Sequence, residues 1–359
     1  MSLISLHELN NRPYLIGDLL ISSPDKGHDL SIPTHLKPVE HLLPSTQQRF
    51  PSKLKQKLYI INPKLCLAIA GSVVSMKLFL KDVRQHFRYK PTNLDEINDL
   101  LFQYSEVPHK DLSYCVIYAE QKENEKPFRY FFKGGKNIIE TLSQKLWIAG
   151  SGSQDYSADI AEPFRFSSSV PSSDPRFSIA NLLMDLAKML AKERFTLNTI
   201  AKFWGAGFEL ILFEDNQFKK LDDITYILLK GAIDPTGQMV ASPVSFYNYK
   251  YHSDLLIITS FSEETQRSGI TTLDITDDEL QQLKSNNPPS TLVASRYCCF
   301  YLLDLPNGNI QTPSIFTENK GTDPGMVFLK MDEENRVGYY IRQDLHESIA
   351  QQMLQFVHT

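Results

Sequence analysis

The apolar pattern of this chain changes period in blocks, and that grouping constrains the fold more than any single motif. Runs that alternate every second residue cluster together, and so do runs with a helical period. SLISLHEL and YLIGDLLIS (Tyr14–Ser22) read as strands around an Asn10-Asn11-Arg12-Pro13 turn. KLYIINPKLCLAIAGS supplies two more short strands hinged at Asn62-Pro63. Two helices follow: Val73–Arg88, with Val73, Met76, Leu80, Val83 and Phe87 on one stripe, and Leu94–Tyr104. Strands return at Leu112–Glu120, Arg129–Lys133 and Lys145–Ala149. A helix starting near Asp155 precedes a stronger one carrying Ile179, Leu183, Leu186 and Leu190. GAGFELILFED and ITYILLKGAI then read as strands. Strands, two helices, strands, two helices, strands: this order predicts a layered α+β fold and not alternating βαβ units.

Two segments depart from that rhythm. Residues 23–52 are rich in Pro, Ser, His and Lys and read as an irregular insertion. After Pro235 the texture becomes β-rich, with strands expected at Asp254–Phe261, Tyr297–Leu305, Met326–Lys330 and Val337–Arg342. Turns are expected at Pro306–Asn309 and Asp332–Asn335, and a closing helix at Gln343–Val357. With 359 residues, two domains are expected, 1–234 and 235–359.

Bulk chemistry removes several classes of function. A net charge of -5 leaves no basic surplus for phosphates, so no nucleic-acid partner is expected. The longest apolar stretch, Leu65–Met76, is too short to cross a bilayer, and no signal peptide is visible. No membrane partner and a cytoplasmic location are the expectation. Cys66, Cys115, Cys298 and Cys299 form no CxxC pair and read as small buried hydrophobes. His28, His35 and His41 are irregularly spaced within the insertion and read as solvated, with no metal expected. No GxxxxGK[ST] is present, and no cofactor is expected. Tyr247, Tyr249 and Tyr251 alternate with polar residues, as on the packed face of a strand.

Several of these segments, in this order, resemble the proteasome β-subunit and its bacterial relatives, the N-terminal-nucleophile (Ntn) hydrolases. IGDLLIS (Ile16–Ser22) is similar to that family's second strand, with an Asp after a small residue. KLYIINPKLCLAIAGSVVS resembles its stretch from a Lys to an Ala-Gly-Ser turn, and WIAGSGSQDYSADIA its Gly-Ser-Gly turn opening the third helix. A long helix, a Gly-rich turn and a strand resemble the close of its sandwich. The resemblance covers residues 2–233 and implies a four-layer αββα sandwich with a β-rich C-terminal extension.

It also implies chemistry. Ser2 precedes Asp18 by 16 residues and Lys57 precedes Gly71 by 14, the family's own offsets. By the resemblance, Ser2 is the nucleophile, exposed by loss of Met1, with its own α-amine as base. Lys57 steadies the developing alkoxide, Asp18 partners Lys57, the Gly71 N–H faces the oxyanion, and Ser151 supports the amine. The implied activity is a peptidase-like amide-bond hydrolysis on a peptide or amide substrate, in a homo-oligomer, since such sandwiches stack into rings. The alternative is a catalytically inactive subunit acting in assembly or as a scaffold. Three positions depart from the pattern: Lys202 and Gly205 stand where the family places an Asp and a Ser, and Leu20 replaces an Arg. Asn198 is the candidate to compensate. Each matching residue also has an ordinary reading: Met-Ser is a common start, Asp18 a strand-end polar group, Lys57 a surface charge, and Gly71 a turn glycine.

Overall fold

A computed structural model of the chain describes residues 2–24, 30–36, 38, 43, 49–89, 92–105, 111–120, 127–140, 144–161, 166–233, 235–236, 239–252, 254–273, 293–303, 314–318, 327–331 and 337–341, with 343 and 347. The chain opens with a hairpin of β1 (Leu3–Leu9) and β2 (Arg12–Asp18). Its turn is only Asn10-Asn11, both left-handed at φ 52° and 58°, the two-residue geometry whose twist matches the flanking strands. A ribbon of β3 (Leu20–Ser23) and β4 (Phe50–Leu54) is followed by β5 (Leu58–Asn62), β6 (Leu65–Ala70), α1 (Val73–Phe87) and α2 (Leu94–Ser105). Next come β7 (Ser113–Ala119), β8 (Phe128–Lys133), β9 (Lys136–Glu140), β10 (Gln144–Gly150) and α3 (Ser153–Ala161). Then follow β11 (Phe166–Ser168), α4 (Phe177–Thr196), the four-residue α5 (Asn198–Ala201), β12 (Phe208–Glu214) and β13 (Gln217–Lys220). The remaining strands are β14 (Ile224–Ile233), β15 (Met239–His252), β16 (Leu255–Ser262), β17 (Arg267–Leu273), β18 (Val293–Ala294), β19 (Tyr297–Leu303), β20 (Ser314–Glu318), β21 (Val327–Met331) and β22 (Val337–Ile341).

The architecture is α+β, in two compact units that interleave along the chain. The first comprises Met1–His28, Leu43–Ala161 and Asn198–Leu221; the second comprises Asp29–Leu42, Glu162–Leu197 and Asp222–Thr359. The sequence reading cut the chain once, after residue 234, and differs from this division. Strand β14 pairs in parallel with β19 and antiparallel with β15, so its hydrogen bonds belong to the second unit's seven-stranded sheet, β11-β20-β19-β14-β15-β16-β17. Helix α4, expected to close the first sandwich, likewise belongs to the second unit.

The first unit is built on two sheets, β13-β12-β2-β1-β10-β9 and β5-β6-β7-β8. Strand β6 explains why LCLAIA reads as an unbroken apolar run. Leu65, Leu67 and Ile69 pack with Phe79, Val83, Leu100 and Tyr104 of α1 and α2. Cys66, Ala68 and Ala70 point the other way, into a core with Leu58 of their own sheet and Ile4, Leu6, Leu15 and Trp147 of the facing one. The small side chains lie on the sheet-to-sheet face and the large ones under the helices, as the two-residue side-chain period requires. Helix α1 starts on Ser72, whose hydroxyl accepts the Ser75 N–H at 3.2 Å.

On the far face of the six-stranded sheet, the Tyr156 hydroxyl of α3 lies 2.9 Å from His7 Nε2. Burial pushes the His7 pKa down to about 3, so its ring stays neutral and resists taking up a second ring proton. The unfolded chain takes up that proton near pH 6.5, so His7 contributes stability above this pH and loses it as the pH falls. Between about pH 5.5 and 4, His7→Gln is expected to flatten the acid side of the stability profile by about 1.4 kcal/mol per pH unit, read by urea unfolding.

The second unit contains the middle of the insertion, of which residues 30–36 and 38 are described, while its two ends join the β3–β4 ribbon of the first unit. Thr34 donates to Glu193 of α4 at 2.5 Å, and the Tyr247 hydroxyl donates to the Thr34 carbonyl at 3.2 Å. His35 and Ile32 are buried, so this stretch, irregular as expected and made of turns and one isolated bridge, is nevertheless packed, and His35 is not solvated. The other two insertion histidines, His28 and His41, lie outside the described residues. So do the turns at Pro306–Asn309 and Asp332–Asn335 and nearly all of the helix at Gln343–Val357. Tyr247 and Tyr249 are buried on one face of β15, and all four cysteines are buried and free. Among the described residues no helix is long and apolar enough to cross a membrane.

Candidate functional site

The centre of the first unit's site is a fully buried ion pair, Lys57 Nζ to Asp18 Oδ1. Its position follows from how β2 ends. Ile4, Gly17 and Glu209 form a cross-strand row on the face turned toward the other sheet. Gly17 leaves that row locally bare, because a Cβ there would come within 3.0 Å of Leu58 Cδ2 and 3.5 Å of Lys57 Cβ. The start of β5 can therefore lie close over β2, with Lys57 beside Asp18.

The expected continuous strand Tyr14–Ser22 breaks at Leu19. There the Leu19 N–H turns to the Gly205 and Gly207 carbonyls, at 3.1 and 3.2 Å, and the Leu20 N–H also reaches Gly205, at 3.1 Å. The break frees the Leu20 carbonyl to accept from Lys57 Nζ at 2.7 Å. Leu20 thus acts through its backbone at the position where an Arg was expected.

Asp18 is saturated with donors. Besides Lys57, Oδ1 accepts the Leu3 N–H at 2.7 Å and Oδ2 the Gly205 N–H at 2.8 Å. Burial nevertheless pushes the Asp18 carboxyl up, with Lys57 and the two N–H groups opposing it. Burial likewise pushes the Lys57 ammonium down, and Asp18 opposes that shift. An ammonium has three donors, and Asp18 and Leu20 use two of them, leaving one for a reacting group.

Ser2 sits at this cluster through its neighbour, since Leu3 is the residue whose N–H Asp18 holds. Ser2 is 1% exposed, and its hydroxyl is buried without a hydrogen-bond partner. A buried hydroxyl left unmatched is uncommon and calls for a reason. The turn after β10 fixes the Ser2 backbone. The Gly152 N–H lies 3.4 Å and the Ser151 hydroxyl 3.5 Å from the Ser2 carbonyl, both long contacts. Ser151 therefore meets Ser2 at its carbonyl, where support of the amine was expected.

Gly71 is held by a different neighbour. Its φ is 137°, and a Cβ there would stand 2.1 Å from the Asp111 carbonyl oxygen. Asp111 also accepts from the Ser72 N–H at 3.2 Å and the Ser75 hydroxyl at 2.9 Å. That packing accounts for the glycine on structural grounds alone. Lys57 is linked to the same strand, because its carbonyl accepts the Ile69 N–H at 2.9 Å, two residues before Gly71.

Ser2 is therefore linked to the Asp18–Lys57 pair through the Leu3 N–H and to Ser151 through its own carbonyl, whereas Gly71 is packed on Asp111. Lys202 pairs with Asp155 at 2.7 Å on the surface, and the Asn198 carbonyl accepts the Lys202 N–H at 3.1 Å. Two residues were missed by the sequence reading. Gly205 was discounted for lacking an acceptor, yet its backbone N–H is what Asp18 receives; the Gly205-Ala206-Gly207 run, with φ of 100°, 61° and 111°, was the available signal. Glu209 stands second in the strand FELILFE, whose other carboxylate, Glu214, is at its half-buried end; a charge at the buried position 209 demands a partner. Among the described residues no group of three or more His, Cys, Asp or Glu is placed to hold a metal ion.

No family model matches this sequence, and no curated protein sequence matches it.

Proposed function

We propose that this chain is an amide-bond hydrolase of the N-terminal-nucleophile type, with a proteasome-like αββα sandwich in its first unit and a peptide or amide as substrate. Ser2, exposed by removal of Met1, is the nucleophile, and its freed α-amine is the base that takes the hydroxyl proton. A free α-amine titrates at about 7.7–8.0, so a neutral fraction is available near pH 7. The remaining Lys57 donor stabilises the alkoxide and then the oxyanion-bearing intermediate, while Asp18 holds Lys57 in place. Ser151 anchors the Ser2 backbone, and the Gly71 N–H serves the oxyanion. The observation that carries this reading is the partnerless, buried Ser2 hydroxyl next to residue 3, which is itself bonded to the Asp18–Lys57 pair.

Intact-mass analysis combined with a β-lactone or epoxyketone probe tests it. The expected result is a chain lacking Met1 that takes one probe adduct, with Ser2→Ala taking none. Retained Met1, or an acetylated Ser2, would instead select the second reading, a non-catalytic subunit of an assembly. The sealed position of Ser2, at 1% exposure, favours that reading if processing does not occur.

A further inference from the structure

We infer that Glu209 is a positioning residue for Lys57, holding its backbone from one side while Asp18 holds its ammonium from the other. The inference rests on the reading of Ser2 and Lys57 as the reaction centre, and names a part of that centre which the Ser2–Asp18–Lys57–Gly71 pattern does not contain. Glu209 stands directly across from Gly17 in the β12–β2 pairing, so its side chain projects onto the face that Gly17 leaves bare. Its Oε1 accepts the N–H of both Lys57 and Leu58, the latter at 2.8 Å. Its Oε2 pairs with Lys220, whose ammonium also donates to Gln56 Oε1 at 3.0 Å. The Glu209 carboxylate is fully buried, and the residue is 2% exposed.

This is a costly arrangement for a purely structural strand start. The Lys57 and Leu58 N–H groups stand inside the protein at the start of β5, where buried donors need an acceptor, and Glu209 supplies it. A water or an Asn side chain could serve them without burying a charge. A carboxylate does something more, because it places negative charge beside an ammonium already deprived of water. Asp18 from β2 and Glu209 from β12 are the acidic groups acting on Lys57, and Lys220 of β13 lies behind Glu209. Two acids and two ammonium groups thus alternate through the site as Asp18, Lys57, Glu209 and Lys220. Glu209 favours the charged form of Lys57, and by gripping the backbone at Lys57 and Leu58 it sets where the Nζ can reach.

Geometry and charge separate in two variants of the full chain. Glu209→Gln keeps a carbonyl oxygen for the two N–H groups but removes the charge; Glu209→Ala removes both. If Glu209 positions Lys57, probe labelling of Ser2 falls by roughly 100-fold in Glu209→Ala, the scale of a misplacement of about 1 Å. Glu209→Gln recovers most of that rate at its optimum, with the alkaline limb of the pH–labelling profile moved to lower pH by about one unit. A merely structural Glu209 would lower the melting temperature of both variants and leave the pH profile of the folded protein unchanged, and that result overturns the inference.

Should Glu209→Ala fail to fold, the profile of Glu209→Gln decides alone. Should the wild type take no probe at all, the Ser2 reading fails separately. The Glu209 inference is then judged by the Lys57 resonance in ¹³Cε-lysine-labelled protein, assigned with Lys57→Arg. A displaced resonance and titration in Glu209→Gln sustain it, and an unmoved one ends it.

Discussion

Replacing Lys57 with methionine is expected to destabilise the protein by about 3–5 kcal/mol, because it leaves the Asp18 carboxylate buried without its countercharge. The same substitution is expected to abolish probe labelling at Ser2. Asp18 retains the Leu3 and Gly205 N–H groups, but two neutral donors do not match a buried anion, so the carboxyl must take up a proton. The double variant Lys57→Met/Asp18→Asn should recover a large part of the lost stability, since neither of the two positions then carries a charge to be desolvated and the Asn carbonyl can still accept one of the two N–H groups. Urea unfolding of the wild type, Lys57→Met, Asp18→Asn and the double variant forms a mutant cycle. A coupling between the sites below about 0.5 kcal/mol would mean that the pair is not the buried unit described here.

The second large effect is expected at Gly150. A Cβ there would lie 1.9 Å from the Ser2 carbonyl oxygen, and its φ of 99° is a conformation that L side chains rarely adopt. Backbone strain of about 1–3 kcal/mol adds to an overpacking cost of about 1–3 kcal/mol in Gly150→Ala. Because the clash is with Ser2 itself, the chain can relieve it by displacing its first residues from the Gly150-Ser151-Gly152 turn. Gly150→Ala is therefore expected to lose amide-exchange protection at Leu3 and to lose Ser2 labelling, while the β5–β8 sheet and its two helices keep their protection. Uniform loss of protection through both sheets would contradict the local role assigned to this glycine.

Sequence alone supplied most of the regular elements of the first unit. The spacing of Met76, Leu80, Val83 and Phe87 gave α1 to within one residue of its end, because a helix packed on one sheet face must repeat its apolar contacts every turn. The apolar run of β6 was legible as a strand, and the structure shows it covered on both faces. Strand β9 carried no such signal, since every one of its residues is exposed at the edge of its sheet. The site was legible in part: Asp18 and Lys57 were singled out thirty-nine positions apart and do meet as an ion pair. Glu209 and the backbone N–H of Gly205 were not, because a carboxylate's acceptors and a glycine's amide leave no mark of their partner in the local pattern.

What the sequence determined by itself, then, was what side-chain periodicity and local turn chemistry fix: the helices α1 to α4, the turn at Asn10-Asn11, and the two short strands hinged at Asn62-Pro63. Which sheet each element joined was decided only in the tertiary structure. ITYILLKGAI has the same apolar pattern in either unit, and its place beside β19 rests on hydrogen bonds to residues more than seventy positions away. Likewise only folding sets the Asp18–Lys57–Glu209 row, because it depends on a bare Gly17 letting one sheet's edge lie close against the other. Periodicity reports which face of an element is buried, and long-range pairing alone decides what covers it.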